Sequence, residues 1–198
     1  MDEKFDEKII ERLCNKIDND KLNEEFKLNE LMESIKEKEK KYPRFKLCLT
    51  SDDIEKLDLI EDKLNPEIFT DNKLTPLEKL LLAILWKNGD YGKEEHIIKG
   101  IKYKSDDYNN KNGKFVFWNF GRYLNDKQLP IYDQHTKRAY IYLEQCSKTK
   151  ESEVYTDYIK WFNDIISDFA DNEREDAAYY LDSILFLYGK KLKKINKR

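Results

Sequence analysis

Apolar residues recur at helical spacing along most of the chain. Ile9, Ile10, Leu13, Ile17 and Leu22 share one helical face, which predicts one or two charged amphipathic helices over residues 1–42. A looser stretch around Tyr42-Pro43-Arg44 follows, then a helix through Ile54, Leu57 and Ile60 that ends before Asn65-Pro66. The sharpest helix start is Thr75-Pro76-Leu77-Glu78. There Thr75 can cap, Pro76 suits the first turn and Glu78 completes a reciprocal box. In the helix that follows, 77–87, Leu77, Leu80, Leu81, Leu82, Ile84 and Leu85 cover most faces, which predicts a place at the centre of the core. Asn88-Gly89-Asp90 stops it.

Further helices are expected at about 93–100, at 114–124 after a polar turn (104–113), and from Asp133 to about 144 after Pro130. Two long helices, about 153–169 and 173–194, complete the chain, the last amphipathic through Ala177, Tyr180, Leu181, Ile184, Leu185, Leu187 and Tyr188. No segment alternates as a strand does. The pattern predicts an all-α protein, with a charged helical N-terminal region (residues 1–70) packing on a core formed by residues 71–198.

Composition agrees with that picture. Only six Gly and four Pro in 198 residues leave few turns, while thirteen Tyr, ten Phe and three Trp argue against disorder. No apolar run approaches the roughly 20 residues needed to span a bilayer, and MDEKFDEKII lacks the apolar stretch of a signal peptide. Cys14, Cys48 and Cys146 are odd in number and widely spaced, which suggests neither a disulfide framework nor a zinc knuckle. A reduced, cytoplasmic protein with no membrane partner, no metal site and no cofactor is the expectation.

The formal net charge of −3 counts against a nucleic-acid partner, but its distribution does not. Residues 110–150 hold eight Lys and Arg against three Asp and Glu, residues 151–182 hold two against ten, and the last sixteen residues hold six and none. An acidic chain can therefore present one basic face.

The segment Gln128-Leu-Pro-Ile-Tyr-Asp-Gln-His-Thr-Lys-Arg-Ala139 carries the candidate chemistry. From Pro130 through Arg138 it resembles the helix-hairpin-helix DNA glycosylases, whose motif runs proline, two residues, aspartate, any residue, histidine, then a basic residue one turn on. Lys114 stands nineteen residues before Asp133. This is the spacing between the lysine and the aspartate in the bifunctional branch typified by 8-oxoguanine DNA glycosylase. The stretch Tyr180-Leu-Asp-Ser-Ile-Leu-Phe-Leu-Tyr-Gly-Lys190 also resembles the closing helix of the bacterial 8-oxoguanine DNA glycosylase-like proteins. The resemblance covers residues 108–142 best, and the first seventy residues have no part in it. The chain departs from the family at the hairpin: glycines are expected two and four residues before the lysine, but Asn112 and Asn110 stand there and Gly113 is displaced by one. Asn tolerates the left-handed backbone better than other non-glycine residues.

The resemblance implies a helix-hairpin-helix glycosylase-like domain acting on duplex DNA with an extruded base. It makes Lys114 the nucleophile at C1′ and Asp133 the carboxylate that stabilises positive charge on the sugar, and the Schiff base permits β-elimination. It places Asn110, Lys111, Asn112, Gly113, Arg122, His135 and Arg138 against the nucleic acid. Free lysine, with a pKa of about 10.4, is protonated at neutral pH, so Lys114 needs desolvation or a neighbouring cation. Phe115, Phe117, Trp118 and Lys111 are the neighbours available.

Each of these residues also has a structural role open to it. Lys114 suits a first-turn surface position, Asp133 a helix N-cap and His135 a polar contact within the first turn. Phe115, Phe117, Trp118, Phe120 and Trp86 suit the core, and Arg122 and Arg138 suit surface ion pairs as well as phosphate contacts. Three functions follow: a DNA glycosylase with or without β-lyase activity; a catalytically inactive nucleic-acid binder on the same fold; or a protein-interaction module, for example in a bacterial defence or regulatory cluster. The last would work through its charged N-terminal helices and the acidic segment 151–182.

Overall fold

The structure is a computed structural model and describes residues 6–17, 27–47, 52–53, 55–56, 74–89, 92–102 and 115–195. The described residues form eight helices and no strand: α1 (Glu7–Lys16), α2 (Leu28–Lys41), α3 (Pro76–Asn88), α4 (Glu94–Lys102), α5 (Phe115–Asn125), α6 (Gln134–Leu143), α7 (Glu151–Ser167) and α8 (Arg174–Ile195). The chain is all-α, and none of these helices is long and apolar enough to cross a membrane. The expected helix through Ile54, Leu57 and Ile60 falls largely outside the described residues.

Two compact units divide the chain. One comprises Met1–Lys46, Asp106–Asn109 and Asp126–Arg198; the other comprises Leu47–Ser105 and Asn110–Asn125.

In the first unit α8 is the central helix, and α1, α2, α6 and α7 pack on it. Its residues 180–185 are buried without interruption, which a helix at the middle of a bundle requires. Aromatic rings fill the surrounding space: Tyr132, Tyr155, Tyr158, Phe162 and Tyr188 are all below 3% exposed. Tyr132 meets Tyr155 edge-on with ring centroids 5.1 Å apart, and Tyr140 meets Tyr158 likewise at 5.4 Å. Such edge-to-face pairs contribute beyond their buried area.

The N-terminal helices join this core through both apolar and charged contacts. Asp6 caps α1 by accepting from the amides of Lys8 and Ile9, and α1 buries Ile9, Ile10, Leu13 and Cys14. Arg12 pairs with Glu173 at 2.9 Å while its guanidinium lies 4.2 Å from the Phe169 ring centroid. Lys16 pairs with Asp168, and Arg44 with Asp176 and Glu175. Cations from the N-terminal region thus meet part of the acidic segment that the sequence offered as an interaction surface.

In the second unit α4 and α5 cross at two glycines. A Cβ on Gly100 would overlap the Trp118 carbonyl, and one on Gly121 would overlap the Ile97 carbonyl. Only glycine permits backbones to approach so closely. Phe115 and Trp118 are buried here, as their core role requires.

Helix α3 corrects one expectation. Its start is as predicted: the Thr75 amide and hydroxyl both donate to Glu78 Oε2 at 2.7 Å, and the Glu78 amide donates back to Thr75 Oγ1 at 3.3 Å. Its position is not central, because Leu77, Leu80, Leu81, Ile84 and Leu85 are 40–64% exposed. Capping is settled locally, within four residues. An apolar period states how much surface favours burial without saying what covers it.

Candidate functional site

Asp133 stands where an irregular strap, 126–133, enters α6. Its Oδ1 accepts from the amides of His135 (2.6 Å) and Thr136 (2.8 Å), and Thr136 Oγ1 accepts from the Asp133 amide at 2.9 Å. The result is a complete capping box, which satisfies three backbone donors that would otherwise lack partners. The carboxylate is held by the backbone itself, and its negative charge faces the positive end of the helix dipole.

The strap is tied down from below by α8 and α7. The Ile131 amide donates to both oxygens of Asp182 at 3.1 and 3.0 Å. The Ile131 carbonyl accepts from Thr136 Oγ1 at 3.0 Å and from the Tyr158 hydroxyl at 3.4 Å. Tyr132 donates to Glu151 at 2.7 Å, and Lys137 pairs with the same carboxylate. Burial, which would raise the Glu151 carboxyl, is outweighed by these two partners, and the group titrates below its ordinary range.

His135 and Arg138 face the closing helix. The His135 ring meets Phe186 edge-on with centroids 5.2 Å apart. Arg138 Nη1 donates to the Gly189 carbonyl at 2.9 Å and lies 3.2 Å from His135 Nδ1. Gly189 has to be glycine, because a Cβ there would overlap the His135 carbonyl. The start of α6 and α8 are therefore in backbone contact.

Two charged residues at this site were not singled out from the sequence. Asp182 is 7% exposed, and burial pushes its carboxyl well above the usual aspartate range, against the Ile131 amide and the Lys38 ammonium, which favour the charged form. Lys38 of α2 donates to Ser183 Oγ at 2.8 Å. Burial lowers its pKa, while the carboxylates of Asp182, Glu39 and Asp133 pull it upward. A usable signal for Lys38 exists in the sequence: it continues the buried stripe Leu31, Ile35 by the next helical step, a place where a lysine is unusual.

Of the other predicted site residues, Lys114, Asn110, Lys111, Asn112 and Gly113 lie outside the described residues. By chain position all five belong to the second unit, whereas Asp133, His135 and Arg138 belong to the first. Arg122, on α5, holds its guanidinium 5.4 Å from the Trp118 ring centroid. The structure brings together Asp133, His135 and Arg138, all within the first turns of α6.

An open groove of about 830 Å³ runs along α6 beside Gln134 and Arg138, bounded by Ile141, Tyr142 and Leu192. That volume falls in the range of small-molecule sites.

No protein-family model, curated protein or solved structure matches the chain. The assignment of function therefore rests on the residues themselves.

Proposed function

We propose that the protein acts on DNA as a helix-hairpin-helix glycosylase, removing a damaged or modified base from an extruded nucleotide. The observation that carries this reading is the Asp133 box. A carboxylate held by two backbone amides at a helix start lies within the segment 130–138 that resembles the family. A fixed negative charge favours the positive charge that develops on the sugar as the glycosidic bond lengthens, without reorganisation at that moment. The adjoining groove along α6 offers space of the right order for a base.

In this reading the Lys114 amine forms a bond to C1′ as the C1′–N bond breaks and the base leaves with the bonding electrons and a proton. The C1′–O4′ bond then opens, its electrons leaving on O4′, which takes up a proton, while the nitrogen lone pair forms the C1′=N bond of the Schiff base. Loss of a C2′ proton to water or a basic group then expels the 3′ phosphate with its bonding electrons.

The test is covalent trapping. Duplex DNA bearing an abasic site is incubated with the protein and borohydride, with Lys114→Ala and Asp133→Asn alongside. An adduct that disappears in Lys114→Ala supports the reading. An adduct that survives unchanged in Lys114→Ala points to stray surface amines and overturns the assignment of the nucleophile.

A second reading, a nucleic-acid binder without chemistry, is favoured by one observation. Arg138, expected at a phosphate, spends a donor on the Gly189 carbonyl and sits against His135. Salt-sensitive binding with neither an adduct nor base release is its signature.

A further inference from the structure

The first unit carries a second groove, remote in sequence from the motif above, between the C-terminal ends of α2 and α8. It encloses about 390 Å³, and five lysines line it: Lys38 and Lys41 from α2, and Lys190, Lys191 and Lys194 from α8. Glu37 is the only acid among its lining residues. Both helices end here, so their carbonyl ends favour the concentration of cations; the last turn of α2 holds Lys38, Lys40 and Lys41. Lys41, Lys190 and Lys194 are exposed, and the ammonium of Lys38 is held over Ser183.

Aromatic surface accompanies the charge. Phe186 forms part of the wall, with Lys190 Nζ 5.7 Å and Lys38 Nζ 6.0 Å from its ring centroid. Tyr42 stands on the rim and is 64% exposed. A charged groove combined with an exposed ring is the arrangement that holds a single strand, the cations following the phosphates and the ring stacking on a base. A concave channel suits a strand better than it suits a flat anionic membrane, which calls for cations spread over one convex face.

We propose that the groove between α2 and α8 binds the sugar–phosphate backbone of a single-stranded stretch of nucleic acid, with Tyr42 stacking on a base. The proposal rests on the nucleic-acid part of the reading above and not on its chemistry. Each neutralised phosphate on a single strand contributes about −0.7 to the slope of log affinity against log salt. Lys38 being held by Ser183, the other four lining lysines, Lys41, Lys190, Lys191 and Lys194, give a slope of about −2.8 if each meets a phosphate.

The test is fluorescence anisotropy of the full chain with a labelled oligothymidylate of about 16 nucleotides, the upper end of strand-binding site sizes. Lys41→Glu/Lys194→Glu is compared with Lys150→Glu/Lys160→Glu, which makes the same change in net charge at exposed residues of the same unit that do not line the groove. Circular dichroism establishes that both variants are folded. The expected result is at least about a tenfold loss of affinity and a halved salt slope in the groove variant alone. Tyr42→Ala should weaken binding by about five- to a hundredfold with the slope unchanged, since stacking is insensitive to salt compared with phosphate contact. Equal losses in the two charge variants, or none in either while the wild type binds, overturn the groove and leave the DNA reading standing. Loss confined to the groove variant in a protein that traps no abasic DNA keeps the groove and removes the Lys114 nucleophile. Failure of the wild type to bind any oligonucleotide overturns both, whereas preference for phosphatidylserine vesicles over the strand overturns the groove alone.

Discussion

Gly189 of α8 and the carbonyl of His135 on α6 are in direct backbone contact, with no room between them for a Cβ. The same glycine's carbonyl receives Arg138. Gly189→Ala must therefore push α6 away from α8 or shift the backbone. A destabilisation of about 1–3 kcal/mol is expected, the range typical of overpacking a close-packed interior. Urea denaturation followed by circular dichroism measures it, and a midpoint equal to wild type would contradict the contact.

The two roles of Asp133 can be separated. Asp133→Ala removes the acceptor for two amides and should cost about 1 kcal/mol, as helix N-caps generally do. Asp133→Asn keeps an oxygen in place and should cost less, because Asn caps about as well as Asp. If Asp133 also stabilises a developing cation, Asp133→Asn remains nearly as stable as wild type yet loses most of the trapped adduct. Parallel loss of stability and adduct across the two variants would leave capping as its sole role.

Asp182 gives the fold a pH dependence. Its carboxyl holds its proton more tightly in the folded chain than in the unfolded one. Its contribution to stability is complete below the ordinary aspartate value and is lost as pH rises through the raised folded value. Lys38 acts in the opposite sense: its lowered pKa means that stability is gained as pH climbs from the folded value towards that of a free lysine. Asp182→Asn can still accept from the Ile131 amide. It should flatten the decline in denaturation midpoint as pH rises above the ordinary aspartate value of about 3.9. An unchanged profile would mean that the carboxyl is hydrated in the folded state.

Cys14 and Cys146 should differ sharply towards thiol reagents. Burial, with a further contribution from Glu11, pushes the Cys14 thiol up to about 12, so almost no thiolate is available at neutral pH. Cys146 is half-buried and lines the groove along α6. In a Cys48→Ser background, Ellman's reagent should titrate Cys146 promptly and Cys14 only after unfolding. Prompt reaction of both would show that α1 detaches readily from α8.

The sequence made legible whatever is decided over a few residues. The Thr75 box, the Asp133 cap, the stop after Asn88 and the helices α1 and α3 to α8 follow from capping groups and apolar period. The Asp133 cap is also where the resemblance and the geometry meet. Long-range placement was not legible. The leucines of α3 announce an apolar surface without naming its cover, and Asp182 sits in an apolar stripe where a carboxylate looks misplaced until the Ile131 amide is seen. Lys38 carries a local mark, its place on the stripe of Leu31 and Ile35. Its significance depends on Ser183 and Asp182, more than 140 residues further on, and no local pattern encodes that.

Arg12, Lys16 and Arg44 bind carboxylates of their own chain at Glu173, Asp168, Glu175 and Asp176. An isoelectric point counts every ionisable group equally; a chromatographic resin samples only what faces it. These pairs engage cations and anions alike, but with Lys190 and Lys194 at the end of α8 turned outward, the isoelectric point of about 5.7 understates how that end of the molecule behaves at a surface. Near neutrality it should be retarded on a sulfonate or heparin matrix on which most proteins of that isoelectric point would pass straight through.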